Sequence, residues 1–479
     1  MRENFSNNND STLRDSLRSG QPILLRGGII ISMDAKIGVI ERGDVLVRGQ
    51  HIEAISSQLI APDDVLIVDV TGKLVLPGLI DAHRHTWETV LRGIGGDWSL
   101  LDYFHWMVQV CGTYFRPEDI YAANMLAAIE SLEGGTTTIG DWADAGRTPE
   151  HVEAATKALE NSGIRGRYHY ANVYGPAQDW GTTEHVAAMW DRYGSAEGRI
   201  SMQMGIDSTR DPAFPEAAAW RFAQERGIAV ATHAGGFGWD NDEWIGRLHR
   251  HGFMKPDVTY IHVVAVPEKY MQLISDTGGT VTVATCSNCN SGQGFPRFRP
   301  LCEHHIPVAL GSDTDMRWNQ TIFENMRSAL SADRAYQHML AHREGHLQAY
   351  NQLRSEQVLN FATIGGARAL GLSEQVGTLT PGKRADIVVM RADERSMSPL
   401  LNPLSHTVFQ GDQSLVETVM VDGRVIKYQG ELLDHDRQKI TDLATRSRDY
   451  LIEKIGEERI RYMMAHYFVD PITEPPKTL

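Results

Sequence analysis

The stretch Leu74-Val75-Leu76-Pro77-Gly78-Leu79-Ile80-Asp81-Ala82-His83-Arg84-His85 decides the reading of this chain. An apolar run of this kind predicts a buried strand, and the polar cluster at its carboxyl end is costly to bury without a partner. Side chains two apart on a strand share a face, so the imidazoles of His83 and His85 project together. The pair has the spacing of metal ligands, although two histidines alone are weak evidence and also occur in ordinary loops.

Three further apolar runs end in the same abrupt way. They are Gly227-Ile228-Ala229-Val230-Ala231-Thr232-His233, Val258-Thr259-Tyr260-Ile261-His262 and Pro307-Val308-Ala309-Leu310-Gly311-Ser312-Asp313. Four such ends meet at one point only if the strands are parallel and the sheet is closed, as at the C-terminal rim of a (β/α)₈ barrel. Strands are also predicted at 136–140, 166–173, 200–206 and 280–284, with helices at 117–133, 148–162, 212–224 and 267–276 between them. Eight strands alternating with helices over some 300 residues fit one TIM barrel.

The sequence resembles the amidohydrolase superfamily, in its deaminase and chlorohydrolase-like branch. The resemblance is carried by residues 76–93, by Glu133-Gly134-Gly135-Thr136-Thr137-Thr138, by Cys286-Ser287-Asn288, by Leu310-Gly311-Ser312-Asp313 and by residues 377–388. His83, His85 and His233 offer nitrogens and Asp313 an oxygen, a donor set suited to Zn²⁺ and also to Fe²⁺, Mn²⁺ or Co²⁺. Binuclear members of the superfamily carry a bridging lysine on the fourth strand. None occurs in 200–207, so one divalent metal per chain is expected. The resemblance implies that Asp313 also takes a proton from water. It implies too that His262 polarises the atom under attack, which makes His262 and Asp313 the expected catalytic residues.

One departure stands out. Members of the branch carry a proton-relaying glutamate three residues after the fifth-strand histidine, and this chain has Gly236 there. Asp240, Asp242 and Glu243 follow in the same loop as substitutes that would have to fold back. Hydrolysis of a C–N bond in a small aromatic or heterocyclic compound is therefore expected, but not standard nucleobase deamination. The alternatives are a ring-closing cyclase of a natural-product pathway, of the kind that forms benzoxazoles, and a non-catalytic relative of the family.

Eight of the ten tryptophans, Trp87, Trp98, Trp106, Trp142, Trp180, Trp239, Trp244 and Trp318, fall after barrel strands, which predicts an aromatic-lined pocket. Trp87, Trp142, Asn288 and Arg317 are assigned to the substrate, the arginine as a holder of a carboxylate.

The flanks carry the rest of the fold. Alternating β-rich segments at 23–34 and 43–57 pair with those at 385–390 and 416–427 in a small β-sandwich built from both chain ends. The expected organisation is a flexible arm at 1–20, sandwich parts at 21–76 and 377–433, the barrel at 77–376, and a C-terminal helix and tail at 434–479. Leu443, Tyr450, Leu451 and Ile455 lie at helical spacing and would cover a barrel face or a subunit interface.

The 479 residues, 42% of them hydrophobic, suffice for one large core, and a net charge of −15 argues against nucleic-acid or anionic-membrane partners. There is no membrane-length apolar run and no signal-peptide core. The four cysteines, Cys111, Cys286, Cys289 and Cys302, suit a reducing cytoplasm, with Cys286 and Cys289 as structural thiols. A homodimer or larger homo-oligomer is implied by the resemblance.

Overall fold

In the computed structural model, which describes residues 7–236, 243–317 and 321–468, the parallel strands follow one another in chain order. They are Leu79–His85, Thr136–Ala143, Arg165–Tyr170, Ile200–Gly205, Val230–Ala234, Val258–His262 and Thr280–Val283, with an eighth in two pieces, Val308–Leu310 and Asp313–Thr314. The first piece pairs with the seventh strand. The second pairs with the first strand, Asp313 opposite Arg84 and Thr314 opposite His85, which closes the (β/α)₈ barrel.

The apolar run at 74–80 is two strands rather than one. Lys73–Pro77 belongs to the sheet formed by the chain ends and Leu79–His85 to the barrel. Gly78 makes the transition, where a Cβ would lie 1.9 Å from the Thr137 hydroxyl oxygen, so no side chain fits.

Residues from both chain ends form one mixed nine-stranded sheet, joined where Ile387–Arg391 runs antiparallel to Lys73–Pro77 with Val389 opposite Val75. The expected sandwich is thus continuous in its hydrogen bonding. The reason is Ile23–Ile31, whose first half pairs with Leu66–Asp69 and whose second half pairs with Lys73–Pro77. Both faces are covered: Val75, Ile387 and Val389 enter the core of the end domain, while Leu74, Leu76, Val388 and Met390 join the barrel core. Burial on both sides explains why these strands are apolar throughout.

Two expectations at the termini change. Residues 7–18, expected in a flexible arm, form an α-helix whose Leu17 is buried in the end-domain core and whose Arg18 reaches the Leu433 carbonyl and the Asp434 carboxylate. Residues 1–6 lie outside the described residues. At the other end, Arg437–Ile455 and Glu457–Ala465 are separate helices that meet at Gly456, φ 99°. The longer one lies on the barrel helix Pro117–Glu133: Ser447 Oγ donates to Asp119 at 2.7 Å, and Arg116 stacks over the Tyr450 ring at 3.4 Å. It covers a barrel face.

A buried ion pair holds the closure. Arg84 Nη2 meets Asp315 at 2.8 Å, and its Nη1 donates to Ser131 Oγ at 2.7 Å, tying the first strand to the segment after the eighth and to Pro117–Glu133. Among the described residues no helix is long and apolar enough to cross a membrane.

Candidate metal centre

Three imidazoles and one carboxylate converge where the barrel strands end. The register of the first strand against the second is irregular between Asp81 and Arg84, and His83 and His85 both reach the barrel mouth. His83 Nε2 lies 3.1 Å and His85 Nε2 3.2 Å from the same Asp313 oxygen, and His233 Nε2 lies 3.3 Å from His83 Nε2. The His262 ring stacks on that of His233, with centroids 5.2 Å apart.

Neighbouring groups orient each ring. Asp207 accepts from His233 Nδ1 at 2.9 Å and also from the His233 backbone N–H. Asn288 donates its amide N–H to His262 Nδ1 at 3.0 Å, which leaves the proton of a neutral His262 on Nε2. An Asp144 oxygen lies 3.4 Å from His85 Nδ1. Asp81 accepts from the backbone N–H and the hydroxyl of Ser312, clamping the first strand to the eighth; burial pushes its carboxyl up to about 6.

Burial and the neighbouring carboxylates set the charge on these groups. Burial drives His83 well below the ordinary imidazole range and His262 down to about 4, so both are neutral at pH 7. Burial opposes charge on His85 and on Asp313 as well, but Asp144 and Asp313 together outweigh it for the histidine, and His83, His85 and His262 together outweigh it for the aspartate. A neutral imidazole has one N–H, so protons cannot satisfy every contact among these crowded atoms. Donors about 2.1 Å from a tetrahedral zinc ion sit about 3.4 Å from one another, close to the separations here. Two overlapping triads that share His83 could hold such an ion, His83, His85 and Asp313 on one side and His83, His233 and His262 on the other.

A cavity of about 190 Å³ opens over these atoms and is lined by His85, Tyr103, Phe104, Asp144, Asp207, Trp244, Gln293 and Arg317, among others. Of the four residues assigned to the substrate, Arg317 lines it. Trp87 instead packs away from it, its ring 5.1 Å from that of Phe115, because the segment after the first strand turns back toward the barrel helices. Trp142 lies beside the histidines, its ring 4.3 Å from that of His233, and Asn288 is hydrogen-bonded to His262. The expected aromatic lining thus reduces to Trp244 among the described tryptophans; Trp239 and Trp318 lie outside the described residues.

Gly236 lines the cavity, and a Cβ built there would meet Gln293 Nε2 at 3.1 Å and His262 at 3.4 Å. A neutral amide, held by Asn288 at 2.6 Å, occupies the space beside this glycine. Of the three loop acids, Asp240 and Asp242 lie outside the described residues, and Glu243 is turned to Arg250 and the Tyr270 hydroxyl. A buried carboxyl behind the cavity wall was not foreseen: Glu88, pushed by burial up to about 8, accepts from the Tyr103 hydroxyl at 2.7 Å. Asp144 and Asp207 were also missed, although they lie one and two residues beyond the carboxyl ends of their barrel strands. The four cysteines are free, with Cys286 Sγ bonded to Ser328.

The amidohydrolase family pattern matches residues 74–426. Among curated proteins, the chain is 27% identical over 441 residues to a 5-methylthioadenosine/S-adenosylhomocysteine deaminase of Acetivibrio thermocellus, covering 87% of this chain and 96% of that protein. It is 25% identical over 461 residues to a 5'-deoxyadenosine deaminase of Methanosarcina mazei, covering 91% and 99%. Among solved structures it superposes on an atrazine chlorohydrolase from Arthrobacter aurescens TC1 complexed with zinc (TM-score 0.77, 22% identity, 89% and 100% coverage). It also superposes on an adenosine deaminase from Xanthomonas campestris with bound zinc (TM-score 0.78, 21% identity, 90% and 98% coverage).

Proposed function

Because the chain belongs to the amidohydrolase family, we propose that it is a metal-dependent hydrolase that breaks a carbon–nitrogen bond in a small aromatic or heterocyclic compound. The observation that carries this is the chain of contacts by which His85 and His83 meet one Asp313 oxygen at 3.2 and 3.1 Å and His233 meets His83 at 3.3 Å, under an open cavity. His83, His85, His233 and Asp313 would hold one divalent ion, zinc first, with Fe²⁺, Mn²⁺ and Co²⁺ compatible. When bound, the ion supplies Lewis acidity and brings the ionisation of water toward neutrality.

The chain's own residues do the rest. Asp313 accepts the proton of the attacking water, and Asp207 and Asp144 hold the rings of His233 and His85. His262, with its proton on Nε2, donates a hydrogen bond to the substrate atom that gains charge. Arg317 on the cavity wall holds an anionic substituent. Residues 77–376 are assigned to the catalytic barrel and 21–76 with 377–433 to the end domain. We assign the protein to the cytoplasm on its four free cysteines, and to a homodimer on its resemblance to the family.

Gly236 and the amide of Gln293 beside it favour a reaction that needs no carboxylate relay to a departing ammonia. The same observation favours a second reading, ring closure, in which a substrate hydroxyl or amine attacks a carbonyl and water is lost. Screening zinc-loaded protein separates these. Ammonia release is expected to be negligible from adenosine, 5-methylthioadenosine, 5'-deoxyadenosine, guanine, cytosine and aminotriazines, since a general acid typically contributes about 10² to 10⁴ in rate. Turnover is expected on aromatic amides, ureas or carbamates under the first reading and on ortho-hydroxyanilides under the second. Efficient deamination of any of the first group would mean that another acid replaces the glutamate.

A further inference from the structure

The barrel has a second cavity, at the end away from the histidines, of about 230 Å³ and lined in part by Gln203, Asp257, Thr259, Thr280, Arg368 and Gly371. Arg167 on the third strand lies just behind this lining, against Gln203 and Gly371. Its Nε donates to Gln203 Oε1 at 3.3 Å, and a Cβ built on Gly371 would lie 3.9 Å from its Nη2. The residue is 5% exposed, and its Nη1 is buried without a hydrogen-bond partner.

The other deeply buried arginines are neutralised. Arg84 meets Asp315 and Glu130, and Arg165 meets Asp386 and Asp422. Among the described residues no carboxylate forms an ion pair with Arg167. Burial pulls its guanidinium down to about 10, which still leaves it charged at neutral pH. A buried cation without a counter-charge is a large cost to the fold, and proteins relieve such a cost with an anion or a paired acid. Among the described residues no acid is paired with it, and its guanidinium lies against Gln203 and Gly371, which line the cavity. Arg368 adds a second positive charge at the exposed rim, and the exposed Asp257 beside it opposes an anion there, which leaves the side nearer Arg167 as the favourable position.

We propose that this cavity binds a small inorganic anion, chloride or phosphate, held by Arg167 from inside the barrel and by Arg368 at the rim. The site is separate from the metal centre and does not depend on the reaction assigned there.

Thermal unfolding of the full-length zinc-loaded protein tests it, in a buffer whose ionic strength is held constant with a bulky organic anion while chloride or inorganic phosphate is titrated. The wild type is expected to show a saturable rise in melting temperature, and whichever anion saturates at lower concentration is the better ligand. Arg167→Met, which keeps the stem and removes the charge, should lose this response and melt above the wild type when no small anion is present. Arg368→Ala should weaken the apparent affinity about tenfold, the loss of one charge-assisted hydrogen bond. A His83→Ala, His85→Ala variant should keep the response, which distinguishes this site from anion binding at the metal. No saturable response in the wild type, or an equal response in Arg167→Met, overturns the proposal. Should Arg167→Met fail to fold, crystals soaked separately in bromide and in arsenate decide: an anomalous peak beside the Arg167 guanidinium in either supports the site, and its absence from both overturns it.

Discussion

His262 and Asp313 leave their strands in left-handed backbone, at φ of 76° and 68°, and Val263 follows at 50°. Such conformations in non-glycine residues cost of order 1–3 kcal/mol each and persist where the surroundings over-determine them. Here they turn one imidazole and one carboxylate toward the same point, and the amide of Asn288 sets the His262 tautomer. If His262 stabilises developing charge, His262→Asn should keep its metal, measured by elemental analysis, and lose about 10² to 10³ in turnover. Asp313→Ala should lose both. Full activity in His262→Asn would make the histidine a packing residue. Glu88 offers a test by pH. Its buried carboxyl titrates at about 8 against 4.5 for the free group. It is neutral in both states below 4.5, and across the window up to about 8 the unfolded chain ionises while the folded one stays protonated, so folding is progressively disfavoured as pH rises. Glu88→Gln removes this penalty, and its gain in melting temperature over the wild type should grow from about pH 5 to pH 8. A gain that does not change with pH would mean that Glu88 is ionised in the fold.

Among elements, the first barrel strand carries the most. It supplies two of the candidate ligands, receives the second piece of the eighth strand, and is anchored through Arg84 to Asp315, Ser131 and Glu130. Arg84 is 1% exposed and Asp315 is fully buried. Removing one partner of such a pair strands the other charge, so Arg84→Met should lower the unfolding free energy by about 3–5 kcal/mol in denaturant titration. Replacing both, with Arg84→Met and Asp315→Leu, should recover much of that loss. Equal losses in the single and double variants would show that the Ser131 and Glu130 contacts matter more than the ion pair. The strand's start was misread from sequence. Nothing in Leu74-Val75-Leu76-Pro77-Gly78-Leu79-Ile80 marks a change of sheet, because strands buried on both faces look alike whichever sheet they join. The helix Pro117–Glu133, in contrast, is legible at both ends, with proline at its first position and Gly134-Gly135 after it.

At the scale of the whole molecule, the candidate ligands come from the first, fifth and eighth strands, so a bound ion would join distant parts of the closed sheet. Elemental analysis should find about one divalent ion per chain, and removal by chelation should lower the melting temperature, since a ligand at 100 times its Kd stabilises by about 2.7 kcal/mol. A stoichiometry near two, or undiminished binding in the His83→Ala, His85→Ala variant, would overturn the single-ion reading. The sequence by itself determined the barrel and put candidate donors at its strand ends, because strand periodicity and an abrupt polar end are local properties that a run such as Ile228 to His233 displays without its neighbours. Asp207 and Asp144 were legible by that same rule. Only the tertiary structure decided which side chains turn toward the cavity: Trp87 and Trp142 away from it, Gln293 into the space beside Gly236, and Glu88 behind Tyr103. It alone joined the two chain ends into one sheet and left Arg167 inside the barrel without an acid. These depend on how a loop folds back after its strand and on which distant strand supplies the next hydrogen bond, and neither is written in the spacing of residues along the chain.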